Sequence, residues 1–291
     1  MRNVSGLLGG RKGTPEEKGV FDVSLVVPVL SSGRKLDQVI EGLAAWAQKT
    51  RWTIELVLVD DRSGKRVDEA RARWRGHFAG LQIAKHERRR GPGIAARTGL
   101  LSARGCYVVV LDPSVATPIE NATSLVESLA MGADVAVTSR PRRGEVKADP
   151  RPFLERAAET TFVALSRLVC PVGVRDTLCG LTALRRRAGR KIGERSECAG
   201  PAFTIEWLAL AQWLGFQCTE CPQRWASREV SPHAMLSATK APGVIRDLMR
   251  TRKRMSQEEL CSPVAPRKLL SETSFTKFDG ESMAARMARQ R

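Results

Sequence analysis

The sequence predicts an α/β protein built on a mostly parallel sheet with helices on both faces. Three observations carry that expectation. Short apolar runs rich in Val, Ile and Leu recur at Val23–Val29, Ile54–Val59, Leu81–Ala84, Tyr107–Leu111 and Asp134–Thr138. Continuous apolar runs of this length, bounded by turn residues, read as strands covered on both faces, the habit of parallel sheets. The segments between them carry apolar residues at helical spacing, giving the order β-α-β-α-β-α-β-α-β. Finally, several runs end in chemistry: Asp60-Asp61 after the second, Asp112 after the fourth, Ser139-Arg140 after the fifth. Ligands of open α/β sheets bind beyond the carboxyl ends of the strands.

Taken in order, residues 1–19 are polar and glycine-rich and are expected to form a disordered lead-in to a domain over residues 20–255. Pro28 cannot donate a ladder bond and should mark the exit of the first strand. Leu36–Gln48 places Leu36, Val39, Ile40, Leu43, Ala44 and Ala47 on one helical face, and Val67–Phe78 is a charged helix. The stretch Arg88-Arg89-Arg90-Gly91-Pro92-Gly93 precedes a small-residue helix, Ile94–Ala103. Glycines there can open a phosphate site at a helix N-terminus, although loops often contain them for other reasons. Ala122–Met131 is a further helix, and Pro141–Arg151 a basic loop.

Phe153–Val169 is amphipathic and suits either a membrane surface or the sheet. Leu181–Leu184 is expected as a short strand, with Arg185–Arg187 opening a helix. Phe203–Leu214 is a helix that carries Glu206 inside an apolar stretch, which is costly for an acid without partners. Gln217–Arg224 is a last strand, and Pro242–Met255 a basic amphipathic helix of the kind that suits anionic lipid or nucleic acid. The remainder, 256–291, lacks periodicity and is expected to be a disordered basic tail.

Lys and Arg outnumber Asp and Glu 48 to 31, for a formal net charge of +17, so an anionic partner is implied. The arginine clusters lack interleaved aromatics, and Tyr occurs once, which disfavours nucleic acid. Without a spanning apolar run or a secretion signal, the expected location is cytoplasmic, peripheral at the inner membrane face. Seven cysteines are scattered. Cys218-Thr-Glu-Cys221 lies in an expected strand, where odd spacing sends the side chains to opposite faces. Buried free thiols are expected there rather than a zinc knuckle.

With these segments laid out, the chain resembles the family 2 glycosyltransferases, in their polyprenyl-phosphate (dolichyl-phosphate) sugar transferase branch. Ser24-Leu-Val-Val-Pro28 matches that family's opening strand, and Glu55-Leu-Val-Leu-Val-Asp60-Asp61-Arg62-Ser63 is similar to its ELVVVDDGS segment. Gly91-Pro-Gly93-Ile-Ala-Ala-Arg97-Thr98-Gly99 is similar to GKGAAVRTG, and Asp112-Pro-Ser114-Val-Ala-Thr117-Pro118 to DADLSTP. Ser139-Arg140, Asp176-Thr177-Leu178-Cys179-Gly180 and Phe203-Thr-Ile-Glu206-Trp resemble GSR, DTQCG and FDVEL.

The resemblance implies a GT-A nucleotide-sugar fold. It implies that Asp60 contacts base or ribose, and that Asp112 is the first acid of a DxD near ribose and metal. Pro28, Asp61, Gly91, Gly93 and Arg97 complete the implied nucleotide side. Arg140 would hold the diphosphate or acceptor phosphate, with Asp176 and Glu206 as the further catalytic residues and Gly180 on the sugar and acceptor side. The implied reaction is inverting transfer from a UDP- or GDP-sugar to a polyprenyl phosphate, with Mg²⁺ or Mn²⁺ as the implied cofactor. The implied partners are the nucleotide sugar, the lipid phosphate and an anionic membrane surface.

The sequence departs from the pattern at ligand positions. Ser31-Ser32 replaces Asn-Glu, Pro92 replaces the lysine of GKG, Ser114 replaces the second acid of the DxD, and Thr204 replaces the acid of FDVEL. A hard divalent ion prefers carboxylate oxygens. Two functions therefore stay open: an active transferase, and a catalytically impaired pseudo-glycosyltransferase acting as a binding or scaffold module.

Overall fold

The structure, a computed structural model, describes residues 19–30, 36–64, 67–111, 118–139, 174, 180–222 and 241–259. Residues 1–18 of the expected lead-in, the helix over Phe153–Val169, the basic loop before it, and Asp112, Ser114, Arg140 and Asp176 lie outside the described residues, as does all of the tail beyond Glu259.

The chain opens with β1 (Phe21–Val29), α1 (Leu36–Lys49), β2 (Ile54–Asp60) and α2 (Val67–Trp74), the last prolonged by a 3-10 turn, Arg75–His77. It continues with β3 (Gly80–Lys85), α3 (Pro92–Ser102), β4 (Gly105–Leu111), α4 (Asn121–Ala130) and β5 (Val135–Ser139). The second half adds β6 (Leu181–Arg185), α5 (Arg186–Arg195), α6 (Phe203–Trp213), β7 (Cys218–Pro222) and α7 (Ala241–Glu259). The helix expected from Ile94 begins at Pro92, whose fixed φ and missing N–H suit the first turn. The basic helix runs on to Glu259, taking in the first residues assigned to the tail.

The strands form one sheet in the order β3-β2-β1-β4-β6-β5-β7. β1 pairs in parallel with β2 and β4, β2 with β3, and β5 with β7. β6 alone among the described strands runs antiparallel, between β4 and β5. Side chains alternate between two cores. Val23, Leu25, Val27 and Val29 of β1, with Leu56 and Leu58 of β2, meet α1, α2 and α4. Val26, Val57 and Val59 meet α3, α5 and α6, with Leu248 of α7 behind them. Coverage of both faces is why these strands read as unbroken apolar runs.

Two features set the position of α3. A Cβ on Gly99 would lie 2.2 Å from Val26 Cγ1 and 3.0 Å from Val59 Cγ2, so glycine is what lets α3 approach the sheet. Below it, Glu55 is 0% exposed. Its carboxylate accepts hydrogen bonds from Ser24 Oγ (2.5 Å), Arg104 N (2.9 Å), Arg104 Nε (2.8 Å) and Gln82 Nε2 (3.3 Å). Ser24 Oγ in turn accepts from Gly105 N at 2.8 Å. A buried charge is tolerated only when paired and hydrogen-bonded, and this network joins β1, β2, β3 and the α3–β4 turn at the amino end of the sheet.

Cys218 lies in the core under α6 and Cys221 in the core under α4, so the two thiols do not converge on a metal. Burial pushes the Cys218 thiol up to about 12. The testable consequence of the polar network is that Glu55→Leu, which strands the Ser24, Arg104 and Gln82 donors, lowers unfolding stability by about 3 kcal/mol in urea denaturation. Ser24→Ala costs only about 1 kcal/mol.

Candidate functional site at the carboxyl edge of the sheet

Asp60 is the last residue of β2, in register with Val29 of β1 and Lys85 of β3. Its Oδ1 accepts from Ser63 N at 2.8 Å and Ser63 Oγ at 2.7 Å, an Asx turn that fixes the following loop. Among the described residues its Oδ2 has no hydrogen-bond partner, and the residue is partly buried at the sheet edge. Arg62 adopts φ 52°, the left-handed region that favours glycine. It stands where the similar family segment has the glycine of DDGS, so the turn keeps a glycine conformation with an arginine in it.

Asp61 turns the other way and is 4% exposed. Its Oδ1 accepts from Arg90 N at 2.8 Å and its Oδ2 from Gly91 N at 2.9 Å. His86 Nδ1 donates to the same carboxylate at 2.8 Å, and His86 Nε2 lies 3.0 Å from Thr98 Oγ1 on α3. Burial alone would raise the Asp61 pKa. The hydrogen bonds from His86, Arg90 N and Gly91 N, with the charge of His86, outweigh it, so the carboxyl titrates below its ordinary value of 3.8. Asp61 thus fastens the glycine turn to the end of β2.

From the other side the turn meets the segment that follows α5. Gly93 N donates to Ala199 O at 3.1 Å. A Cβ on Gly91, where φ is 95°, would lie 2.3 Å from Ala199 O, and one on Gly93 would lie 2.1 Å from Cys198 O. Both glycines are therefore explained by this close backbone approach, and both of their amides are spent on protein acceptors.

The segment itself is held by Glu206, which is 1% exposed. Its carboxylate accepts from Ser196 Oγ at 2.5 Å, Glu197 N at 3.0 Å and Cys198 N at 3.0 Å. Trp207 Nε1 donates to Ser196 Oγ at 2.9 Å, and Arg254 of α7 places Nη2 3.9 Å from Glu206 Oε1. Burial, with the nearby Glu206 and Asp247 charges, pushes the Cys198 thiol up to about 12.

The remaining expected residues separate. Arg97 donates through Nε to Gly193 O at 2.7 Å, tying α3 to the end of α5. Pro28 is buried at the end of β1, opposite Val59 and past the last recorded β1–β4 partners, Val26 and Val110. Arg62, Arg88, Arg89 and Arg90 are exposed around the rim. Ser139, the last residue of β5, is buried, and its hydroxyl has no partner among the described residues. Sequence reasoning missed His86 and Ser196. A lone His and a lone Ser carry no spacing signal, although Thr98 and Glu206, which they join, were within quoted segments.

Asp112 and Ser114 lie outside the described residues, and the sequence supplies one carboxylate and one hydroxyl where two acids would serve a hard ion. No group of three or more His, Cys, Asp or Glu side chains that could hold a metal occurs among the described residues. Asp112 and Ser114 together offer a divalent ion one carboxylate and one neutral hydroxyl, a weaker donor pair than two acids.

A mostly parallel sheet with an acid-bearing, arginine-rimmed carboxyl edge defines an open α/β protein of the class whose ligands bind beyond the carboxyl ends of the strands. Within that class, the family model for Glycosyl transferase family 2 matches residues 24–193, more than half of the chain, and the protein belongs to that family. A dolichyl-phosphate beta-glucosyltransferase of Trichomonas vaginalis is 28% identical over 214 residues, covering 70% of this chain and 65% of that protein. The mouse dolichyl-phosphate beta-glucosyltransferase is 24% identical over 222 residues, covering 72% of this chain and 68% of its own length. A dolichol-phosphate mannosyltransferase of Pyrococcus furiosus is 25% identical over 166 residues, covering 56% of this chain and 46% of its own.

Among solved structures, glucosyl-3-phosphoglycerate synthase from Mycobacterium tuberculosis, in complex with Mn²⁺, UDP and glucosyl-3-phosphoglycerate, superposes with a TM-score of 0.55 at 19% identity, covering 80% of this chain and 81% of that one. That likeness establishes the GT-A type of fold.

The Asp61 geometry makes a pH prediction. Its pKa is depressed on folding, so its contribution is complete above the unfolded-state value, about pH 4, and is lost as pH falls through the lower folded value. Asp61→Asn should cost about 1–3 kcal/mol at neutral pH. In urea titrations the gap to the wild type should narrow towards about pH 3. An equal gap at both pH values contradicts the assignment.

Proposed function

We propose that this chain is an inverting glycosyltransferase that moves a sugar from a nucleotide diphosphate donor to a polyprenyl phosphate at an anionic membrane surface. The observation that carries the reading is Asp60: a carboxylate at the carboxyl end of β2 with one oxygen spent on its own turn and the other without a partner among the described residues. Family membership supports the reaction class. The names of the curated relatives support a lipid phosphate acceptor, and the UDP of the mycobacterial enzyme supports a nucleotide donor.

In this reading Asp60 accepts hydrogen bonds from the base or ribose. The exposed Arg62, Arg89 and Arg90 neutralise the diphosphate, a role to which guanidinium forks are suited. An ionised phosphate oxygen of the acceptor attacks the anomeric carbon. The new C–O bond forms as the bond to the diphosphate breaks, and the electron pair leaves with the nucleotide. The nucleophile is already an anion, so no general base is needed. The work of the site is alignment and stabilisation of the departing charge. Asp61 and Glu206 act as positioning residues that hold the loops, since the oxygens of both are committed to protein donors. Asp112, Arg140 and Asp176 keep the nucleotide, phosphate and acceptor roles that the family pattern gives them.

A second reading is favoured by Ser114 and Pro92, which replace an acid and a lysine of the pattern. It is an impaired transferase that still binds nucleotide sugar. One experiment separates the two: labelled UDP-glucose or GDP-mannose is offered with a polyprenyl phosphate in detergent, with Mg²⁺, Mn²⁺ or chelator, and binding is followed by calorimetry. Transfer that drops about 10- to 100-fold in kcat/KM in Asp60→Ala supports the active enzyme. Binding without transfer supports the impaired form. Neither transfer nor binding overturns both.

A further inference from the structure

No helix among the described residues is long and apolar enough to cross a membrane, yet α7 presents a face that is out of place in water. Its inner side is well partnered. Leu248 and Thr251 are buried, and Thr251 Oγ1 donates to Asp247 O at 3.1 Å. Arg254 pairs with Glu197 Oε2 at 2.6 Å and donates to Arg195 O, at the end of α5. Its outer side carries Ile245, Arg246, Met249, Arg250 and Lys253 around a shallow, open depression. Met249 is 60% exposed at its centre, and the three cations around it are exposed as well. Positions 245, 249 and 253 recur at i, i+4 and i+8, so they form one stripe, with 246 and 250 flanking it.

The geometry points to this outer face of α7 as a docking surface for an anionic lipid bilayer. An apolar pair ringed by long cationic side chains matches the interface, where Met and Ile enter the acyl boundary and Arg and Lys snorkel to the headgroups. Nucleic acid is the poorer fit, because α7 contains no aromatic residue on which a base could stack.

The inner side gives the docking its use. Asp247 and Arg254, seven positions apart on one helical face, both reach the segment that closes on the glycine turn. A Cβ on Gly200 would lie 2.9 Å from Asp247 Oδ2, and Arg254 holds Glu197. α7 therefore runs along the rim of the site, and docking by its outer face brings that rim to the headgroup layer. The significance for acceptor delivery rests on the proposed function; the docking chemistry does not.

The test uses the full chain and vesicles free of polyprenyl phosphate and nucleotide sugar, so that its outcome is independent of transfer. Co-sedimentation is compared for neutral phosphatidylcholine vesicles and for vesicles that also contain anionic phosphatidylglycerol, with thermal unfolding run on each variant. The wild type is expected to bind the anionic vesicles. The combined change Arg246→Gln, Arg250→Gln and Lys253→Gln should lower binding about 100-fold. Met249→Asp should lower it even at low salt, where charge attraction alone is strongest. Equal binding by wild type and both variants overturns the inference. So does absence of binding by the wild type, or displacement of the wild type from vesicles by single-stranded DNA at equal phosphate with the DNA affinity lost in the same glutamine variant. Vesicle binding without any sugar transfer leaves the docking surface standing and counts against the active-enzyme reading alone.

Discussion

Two buried carboxylates hold the carboxyl edge of this sheet together, and both do so through backbone amides. Asp61 takes the amides of Arg90 and Gly91, and Glu206 takes those of Glu197 and Cys198. Charges buried this deeply are sustained only by several donors at short range. The consequence is a loop pair that cannot be repositioned piecemeal. The glycine turn is drawn down onto β2 from one side, the segment after α5 is fixed over α6 from the other, and they meet where no Cβ fits. A rim built in this way is organised before any ligand arrives, which is the condition for electrostatic and positional catalysis.

Much of this frame was legible in the sequence. The unbroken apolar runs gave the buried parallel strands, because covering both faces leaves no polar alternate positions. The odd spacing of Cys218 and Cys221 placed their thiols in separate cores. What escaped is instructive. Asp60 and Asp61 are identical neighbours, and only three-dimensional structure reveals that one faces the sheet edge while the other turns in to hold a loop. Gly91 and Gly93 read as a candidate phosphate opening, and nothing local showed that the group they approach is the backbone of Cys198 and Ala199. Arg97, expected beside a phosphate, reaches a carbonyl of α5 because a long side chain on a helix goes where packing leads it. Glu55 looked like an ordinary strand residue, and its role depends on Ser24, Gln82 and Arg104, which lie far apart in the chain. The antiparallel β6 is set by tertiary insertion between β4 and β5, for which local sequence carries no mark.

The chain has a family 2 framework, and its sequence departs from the family pattern quoted above at several positions. The pattern loses an acid at Ser114 and a lysine at Pro92, while arginines stand at 62, 88, 89 and 90. Arg62 holds a left-handed turn that glycine would occupy more easily, so a cation is kept there against a conformational cost of about 1 kcal/mol. Guanidinium groups supplied by the chain and a divalent ion supplied from solution do the same electrostatic work on a diphosphate. In the proposed function the rim arginines do that work. Its neighbour α7 is cationic and apolar outside and hydrogen-bonded inside, the face proposed above to dock on an anionic bilayer.

The most direct measurement of the central claim is a crystal structure with a nucleotide sugar bound. The account predicts the nucleoside beside Oδ2 of Asp60, the diphosphate among the rim arginines, and Asp61 still seated on the amides of Arg90 and Gly91. A nucleotide bound elsewhere, or Asp61 swung out from the turn to contact it, would contradict the account.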